Sequence, residues 1–175
     1  MKQAKRALCL ALAVLAALAM LAGCGKKAPE YTAQQILDAV KAAYGESYLP
    51  NTPIEREMLE FEFGLDMALV EDMAAEMPMI GFHPDRVIIV KAKSGEGAAV
   101  ESAFKTAREN MINNGIFYPA NLPKINASQV VRNGDYVAFL LVGAADDVSA
   151  TEEEMAQFAL NEVQKAVEAF NALFK

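Results

Sequence analysis

His83 is the only histidine of the chain. It sits in Gly81-Phe82-His83-Pro84, a turn signal, where an imidazole is ordinarily solvated surface. A serine–histidine–acid hydrolase would have to pair it with Ser47, Ser94, Ser102, Ser128 or Ser149. None of these stands in the Gly-x-Ser-x-Gly elbow that exposes a nucleophile. A single histidine also cannot build a histidine-rich metal site. The 23 carboxylates are too many for sequence alone to single out an acid–base pair. Ser94-Gly95-Glu96-Gly97, between an expected strand and helix, could present backbone amides to a phosphate. Glu96 and Glu101 would repel that anion, and no Lys-Ser/Thr pair follows. Met73, Met77 and Met79 fall at a period of two, and their thioethers suit Cu(I); methionine is also an adaptable core filler. Asp146-Asp147 and Glu152 to Glu154 could hold calcium, but they lack the alternating ligand spacing and turn glycine of a calcium loop, and helix capping accounts for them. No catalytic set, metal site or cofactor site emerges, and the expectation is a non-enzymatic protein.

Cys24 carries a different chemistry. Lys2, Lys5 and Arg6 precede an uncharged apolar run, Ala7 to Ala22, and then Leu21-Ala22-Gly23-Cys24. This is the charged, apolar, small-residue order of a secretory signal, and the run is short for a span of roughly 20 residues. The tetrapeptide resembles the lipobox of bacterial lipoproteins. The resemblance implies diacylglycerol on the Cys24 sulfur and cleavage before Cys24. Two acyl chains give stable anchoring where one holds only marginally. The expected organisation is a signal peptide at 1–23, a lipidated tether at 24–31 and one domain at 32–175. The expected location is the outer face of the cell membrane. Gly25 follows the cysteine, so sequence does not choose between the leaflets of a two-membrane cell.

Removing the signal takes away three of the 16 basic residues, leaving 13 against 23 acidic ones, a balance of −10. That balance argues against nucleic acid as a partner, since it is bound by clustered Lys and Arg. Lys26 and Lys27, beside the anchor, are the only basic residues placed to meet an anionic membrane. Cys9 leaves with the signal and Cys24 carries lipid, so the domain has no disulfide and must fold on core packing. Asn126-Ala127-Ser128 is a chance sequon.

The elements that position these residues read in order. Thr32 with Gln35 forms a capping box for a helix carrying Ala33, Ile36, Leu37, Val40 and Tyr44, stopped at Gly45. Thr52-Pro53-Ile54-Glu55 predicts a second helix from Pro53 to Phe63, ended by Gly64; the alternation of Leu59, Phe61 and Phe63 offers a strand instead, and the start signals favour helix. Asp66 could cap a further turn. From Asp72 the period becomes two, with Pro78 marking an edge or bulge. A turn at Gly81 to Asp85 leads to a strand from Val87 to Lys93, closing a hairpin. A helix follows from Ser94–Gly97 to about Asn113, with Val100, Ala103, Phe104, Ala107 and Met111 inward and a Glu101–Lys105 pair outside. Phe117 to Ser128 reads as a loop with Pro119 and Pro123. Asn133-Gly134 centres a hairpin from Val130 to Val142. Thr151 with Glu154 caps a last helix burying Met155, Phe158, Ala159, Val163, Ala166, Val167, Phe170 and Leu173. The fold class is α+β: a small, mostly antiparallel sheet of about four strands, two hairpins packed with three to four helices.

Phe63-Gly64-Leu65-Asp66, then Asp85 to Lys93 before a helix, then Phe117-Tyr118-Pro119 and Arg132-Asn133-Gly134-Asp135-Tyr136, together resemble the bacterial lipoprotein family called domain of unknown function 4358. The likeness covers most of residues 50 to 145. The family has no assigned activity, so the resemblance implies no catalytic residues.

Function is therefore approached through surfaces. The Tyr118 to Pro123 segment either packs Phe117 and Tyr118 on the core, the commoner outcome, or serves as a binding loop through Tyr118, Pro119 and Leu122. The first expectation is a membrane-anchored module that binds another envelope protein or component. The second is a small-molecule or metal-binding lipoprotein. The third is an envelope hydrolase using His83 or a carboxylate pair. A concave pocket favours the second or third, and a flat apolar patch the first.

Overall fold

Strands β1 (Thr52–Pro53), β2 (Val70–Met77), β3 (Arg86–Ala92), β4 (Gln129–Asn133) and β5 (Tyr136–Leu141) form an antiparallel sheet in the order β1-β2-β3-β5-β4. The computed structural model describes residues 30–80, 82–144, 146 and 148–175. The expected signal, Cys24, nearly all of the tether, Gly81 and Asp147 lie outside the described residues. The chain divides into 1–30 and Tyr31–Lys175, and the second unit holds every helix and strand of the described residues.

Both faces of the sheet are covered. On one, α1 (Ala33–Ala42) and the C-terminal α5 (Glu152–Ala172) lay Ile36, Val40, Val163 and Phe170 over Val87, Ile89, Ala138 and Leu140. On the other, α2 (Arg56–Phe63) and α3 (Gly97–Asn114) set Leu59, Phe63, Val100 and Phe104 on Ile88, Val90, Val137 and Phe139. Successive strand residues point to opposite faces. A sheet covered twice therefore needs apolar residues at every position, and Val87 to Val90 and Val137 to Val142 are such runs. Phe63 and Phe139 meet edge to face at 5.0 Å, with Phe104 6.0 Å from Phe63, the arrangement the ring quadrupole favours.

Local signals hold where hydrogen-bonding side chains set the boundary. Of the three capping boxes the spacing offers, Thr32–Gln35 and Thr151–Glu154 are formed, and Thr52–Glu55 is not. Asp66 accepts from the Ala68 N–H and caps a short 3-10 turn, Met67–Leu69. The Asn133-Gly134 turn closes β4 on β5, with Gly134 at φ 57°.

Several expectations are corrected. The second helix starts at Arg56, not at Pro53, with Glu55 at the N-cap position but making no side-chain capping bond. Thr52 and Pro53 instead pair with Met77 and Glu76, which adds a fifth strand. The Ile54 N–H also bonds to the Ala75 carbonyl, so sheet edge wins over the Thr52 cap. Phe61 is 91% exposed while Leu59 and Phe63 are buried, a spacing of four that removes the strand alternative. β2 begins at Val70 and ends at Met77, so Met79 lies beyond it. Val142 lies just past the end of β5. The expected loop from Phe117 to Ser128 contains a 3-10 turn, Pro119–Asn121, and a short helix, α4 (Leu122–Ala127). Pro123 is tolerated there because it occupies the first turn, where its missing N–H has no intrahelical partner to lose.

Candidate functional site

The register sets the site. Arg86, the first residue of β3, lies opposite Leu141, the last of β5, and Gln129, the first of β4, lies opposite Leu140. The segments 78–85, 115–128 and 142–151 therefore all leave one end of the sheet. They converge with the start of α5 on a cavity of about 190 Å3, whose lining includes His83, Asn121, Lys124, Asp146, Phe158 and Glu162.

A buried ion pair ties these segments together. Asp85 is wholly buried, and its Oδ1 lies 2.6 Å from Lys124 Nζ. Neither carboxylate oxygen has a hydrogen-bond partner of good geometry among the described residues, so Lys124 meets Oδ1 as an ion pair. Lys124 Nζ also donates to the Gly143 carbonyl at 2.6 Å, so one ammonium bridges α4, the residue before β3 and the residues after β5. Burial pushes the Asp85 carboxyl above its usual range, with Lys124 the strongest opposing influence. His83 Nδ1 accepts from the Asp85 N–H at 3.3 Å and lies 3.6 Å from Asp85 Oδ1. Burial holds the imidazole below its usual pKa; Asp85 opposes this and Lys124 and Arg86 reinforce it. His83 is thus neutral near pH 7, with its proton on Nε2. Arg86 fixes the turn by donating to the His83 and Asp85 carbonyls at 2.9 and 2.8 Å.

The opposite wall is α5. Glu162 accepts from the Ala144 N–H at 2.9 Å and from Lys165. Burial acts to raise its pKa, but these two donors and the charge of Lys124 outweigh it and hold the carboxylate ionised. The backbone opposite is Gly143, at φ 150°; a Cβ there would stand 2.6 Å from Glu162 Cβ, so the approach needs glycine. Tyr44 Oη donates to the Glu162 carbonyl at 2.7 Å. Met155 and Phe158, expected in the core, line the cavity instead.

Exposed apolar side chains surround this end. Met79, Ile80 and Phe82 precede His83, Tyr118 and Leu122 flank Asn121, and Val148 follows Asp146; all six are exposed. Of the candidate binding loop, Phe117 packs on the core while Tyr118 is 69% and Leu122 41% exposed. Pro119 opens the 3-10 turn whose Ala120 and Asn121 line the cavity. The loop expectation and the His83 turn thus meet at one place.

Other candidates dissolve into the fold. The Ser94 to Gly97 amides already hold an anion: the Gly95 N–H points at both Asp135 carboxylate oxygens at 3.1 Å, and the Gly97 N–H donates to Oδ1 at 3.2 Å. Ser128 is buried, donates to the Ile125 carbonyl and receives Arg108. Among the described residues, no serine lines the cavity. Met73 and Met77 pack on the core, and Met79 is 78% exposed. Asp146 accepts from the Val148 and Ser149 N–H groups, and Glu154 from those of Ala150 and Thr151, as capping requires. Among the described residues no group of three His, Cys, Asp or Glu side chains stands close enough to hold a metal. Nor is any described helix long and apolar enough to cross a membrane.

Sequence reasoning missed Asp85, Lys124 and Glu162. A signal existed for two. Asp85 stands directly before an apolar strand. Glu162 falls on the buried stripe of α5, between Ala159 and Ala166. Lys124 carried no local signal, because its partner lies 39 positions away in the chain.

No curated protein and no solved structure matches the chain. A family model does, over residues 43–142, taking in all five strands and α2 to α4. The cavity is therefore composite: His83 and Lys124 lie inside that stretch, whereas Met155, Phe158 and Glu162 come from α5, outside it. Matching over more than half of its length, the chain belongs to the family described as Domain of unknown function (DUF4358).

Proposed function

We propose that this protein is a lipid-anchored, extracytoplasmic binding protein that holds a small solute in the cavity between α4, α5 and the turn before β3. The observation that carries the reading is the convergence of three chain segments on one cavity, tied by a buried Asp85–Lys124 pair. A buried pair is weak evidence for stability, because desolvation offsets much of its attraction. Its placement at a concave site with apolar and polar lining fits recognition better.

The lipid anchor is supported by Leu21-Ala22-Gly23-Cys24 behind a basic, apolar leader. Tyr31 enters the domain beside Tyr136, the first residue of β5, at the end of the sheet away from the cavity. The seven residues of β3 separate the two ends by roughly 20 Å. Cys24→Ser is expected to move the protein from the detergent phase to the aqueous phase and to abolish lipid mass at the mature N-terminus. Unchanged partitioning would sink the anchor.

The cavity reading is tested by thermal unfolding of the full chain in detergent against a broad panel of small solutes. A ligand at 100 times its Kd adds ~2.7 kcal/mol, a shift of several degrees at this size. The shift should vanish in Ala120→Trp, which plugs the mouth from an exposed position. Silence across the panel would overturn it. A second reading, docking of another envelope protein, is favoured by the exposed Met79, Ile80 and Phe82 beside the cavity. Crosslinking on intact cells that depends on Phe82 would support that reading.

A further inference from the structure

Resting on the cavity as a ligand site, we infer that its ligand is a small zwitterion with an apolar body, of which a free amino acid is the simplest example. Four observations lead there.

The first is size. A cavity of about 190 Å3 has room for a solute the size of an amino acid.

The second is the sign of the charges. Lys124 brings an ammonium to one wall, and Glu162 and Asp146 bring carboxylates to the others. Asp85 pairs with Lys124 and Lys165 with Glu162, so each of these walls presents an ion pair to the cavity. His83 lines the cavity in its neutral form. A ligand with a single charge of either sign therefore meets a like charge. A ligand carrying both can set its carboxylate toward Lys124 and its ammonium toward Glu162.

The third is unused bonding capacity. An ammonium has three donors, and Lys124 directs one to the Gly143 carbonyl while forming an ion pair with Asp85. An ionised carboxylate offers about four lone-pair sites, and Glu162 receives the Ala144 N–H and Lys165. The Asn121 side chain makes no hydrogen bond among the described residues, and it too lines the cavity.

The fourth is the apolar part of the lining. Met155, Phe158 and Ala159 lie along one side of α5 at helical spacing, on the helix that carries Glu162. An apolar side chain on the ligand would lie against them while its ammonium reaches the carboxylate one turn on.

The test uses three matched probes: L-leucine, isoamylamine, which lacks the carboxylate, and 4-methylpentanoate, which lacks the amine. Calorimetric titration of the full chain in detergent is expected to give leucine an affinity at least about tenfold above either single-charge analogue, since each lost charge-assisted contact contributes roughly 1.5 kcal/mol or more. Glu162→Gln should remove the advantage of leucine over 4-methylpentanoate, and Ala120→Trp should remove all binding with unfolding unchanged. If isoamylamine or 4-methylpentanoate binds as tightly as leucine, the zwitterion is wrong and the cavity stands. If none of the three binds while another solute from the broad panel shifts unfolding in an Ala120→Trp-sensitive way, the ligand class is wrong and the binding function stands. If nothing binds by either measurement, both fall.

Discussion

Each end of the sheet holds an aspartate beside a strand terminus, and the two are treated differently. Asp135, at the turn leading into β5, receives the Gly95 and Gly97 N–H groups and so closes the start of α3 onto the hairpin. Around it further bonds tie the chain: Tyr136 Oη both accepts from the Tyr31 N–H and donates to the Tyr31 carbonyl, Asp72 accepts from the Ala33 N–H, and Tyr31 Oη donates to the Leu173 carbonyl. Asp85, at the other end, is buried with one oxygen facing an ammonium and the other without a partner among the described residues. Around it lie a cavity and exposed Ile80, Phe82, Tyr118 and Val148. A satisfied carboxylate fixes structure. A buried carboxylate left half-satisfied raises the free energy of its own site, and such sites persist where something other than stability selects them.

The largest expected effect breaks the second end. Lys124→Met leaves the Asp85 charge buried and unpaired, and should cost about 3–5 kcal/mol in urea unfolding at pH 7. The pH dependence has a definite sign. The folded-state pKa of Asp85 is raised, so the native state binds this proton more tightly than the unfolded chain does. The penalty is constant above the raised value and shrinks as the pH falls through it. The Lys124→Met deficit should therefore be smaller near pH 5 than at pH 8. A deficit that grows on acidification would show that Asp85 is not the buried charge responsible.

At the first end the effects should be smaller and without influence on any ligand. Asp135→Ala frees the Gly95 and Gly97 amides at the start of α3, and should cost about 2 kcal/mol. Tyr136→Phe removes the exchange with the Tyr31 backbone and should cost about 1 kcal/mol. If either variant abolished solute-induced stabilisation, the division of the molecule into a structural and a binding end would be wrong. The smallest stability effect belongs to the surface. Phe82→Ser and Phe61→Ser should each change unfolding by less than about 0.5 kcal/mol, since both rings are more than four-fifths exposed. Phe82→Ser alone should weaken crosslinking to envelope partners, because Phe82 precedes the cavity-lining His83 while Phe61 lies on α2, which contributes no residue to the cavity lining.

The sequence by itself determined what short-range chemistry controls. Thr32–Gln35, Thr151–Glu154 and Asn133-Gly134 each bring together groups within three residues, so the helix starts and the hairpin were readable from spacing. The apolar runs at Val87 and Val137 marked the two central strands, whose burial on both faces admits no polar residue. The segment from Tyr118 to Leu122 reads as a loop in sequence, yet it forms a 3-10 turn and opens a short helix. Where a local signal met a tertiary competitor, the tertiary one won. Thr52 could cap a helix, but the edge of β2 offered its backbone two strand partners and the Ala75 carbonyl. The cavity belonged wholly to the tertiary structure. Asp85, Lys124, Gly143 and Glu162 lie on four separate segments, and their ion pair and hydrogen bonds exist only once β3 and β5 are in register and α5 has crossed their ends. No spacing rule connects residues that far apart in the chain, because what joins them is the closing of the sheet between its two helical layers.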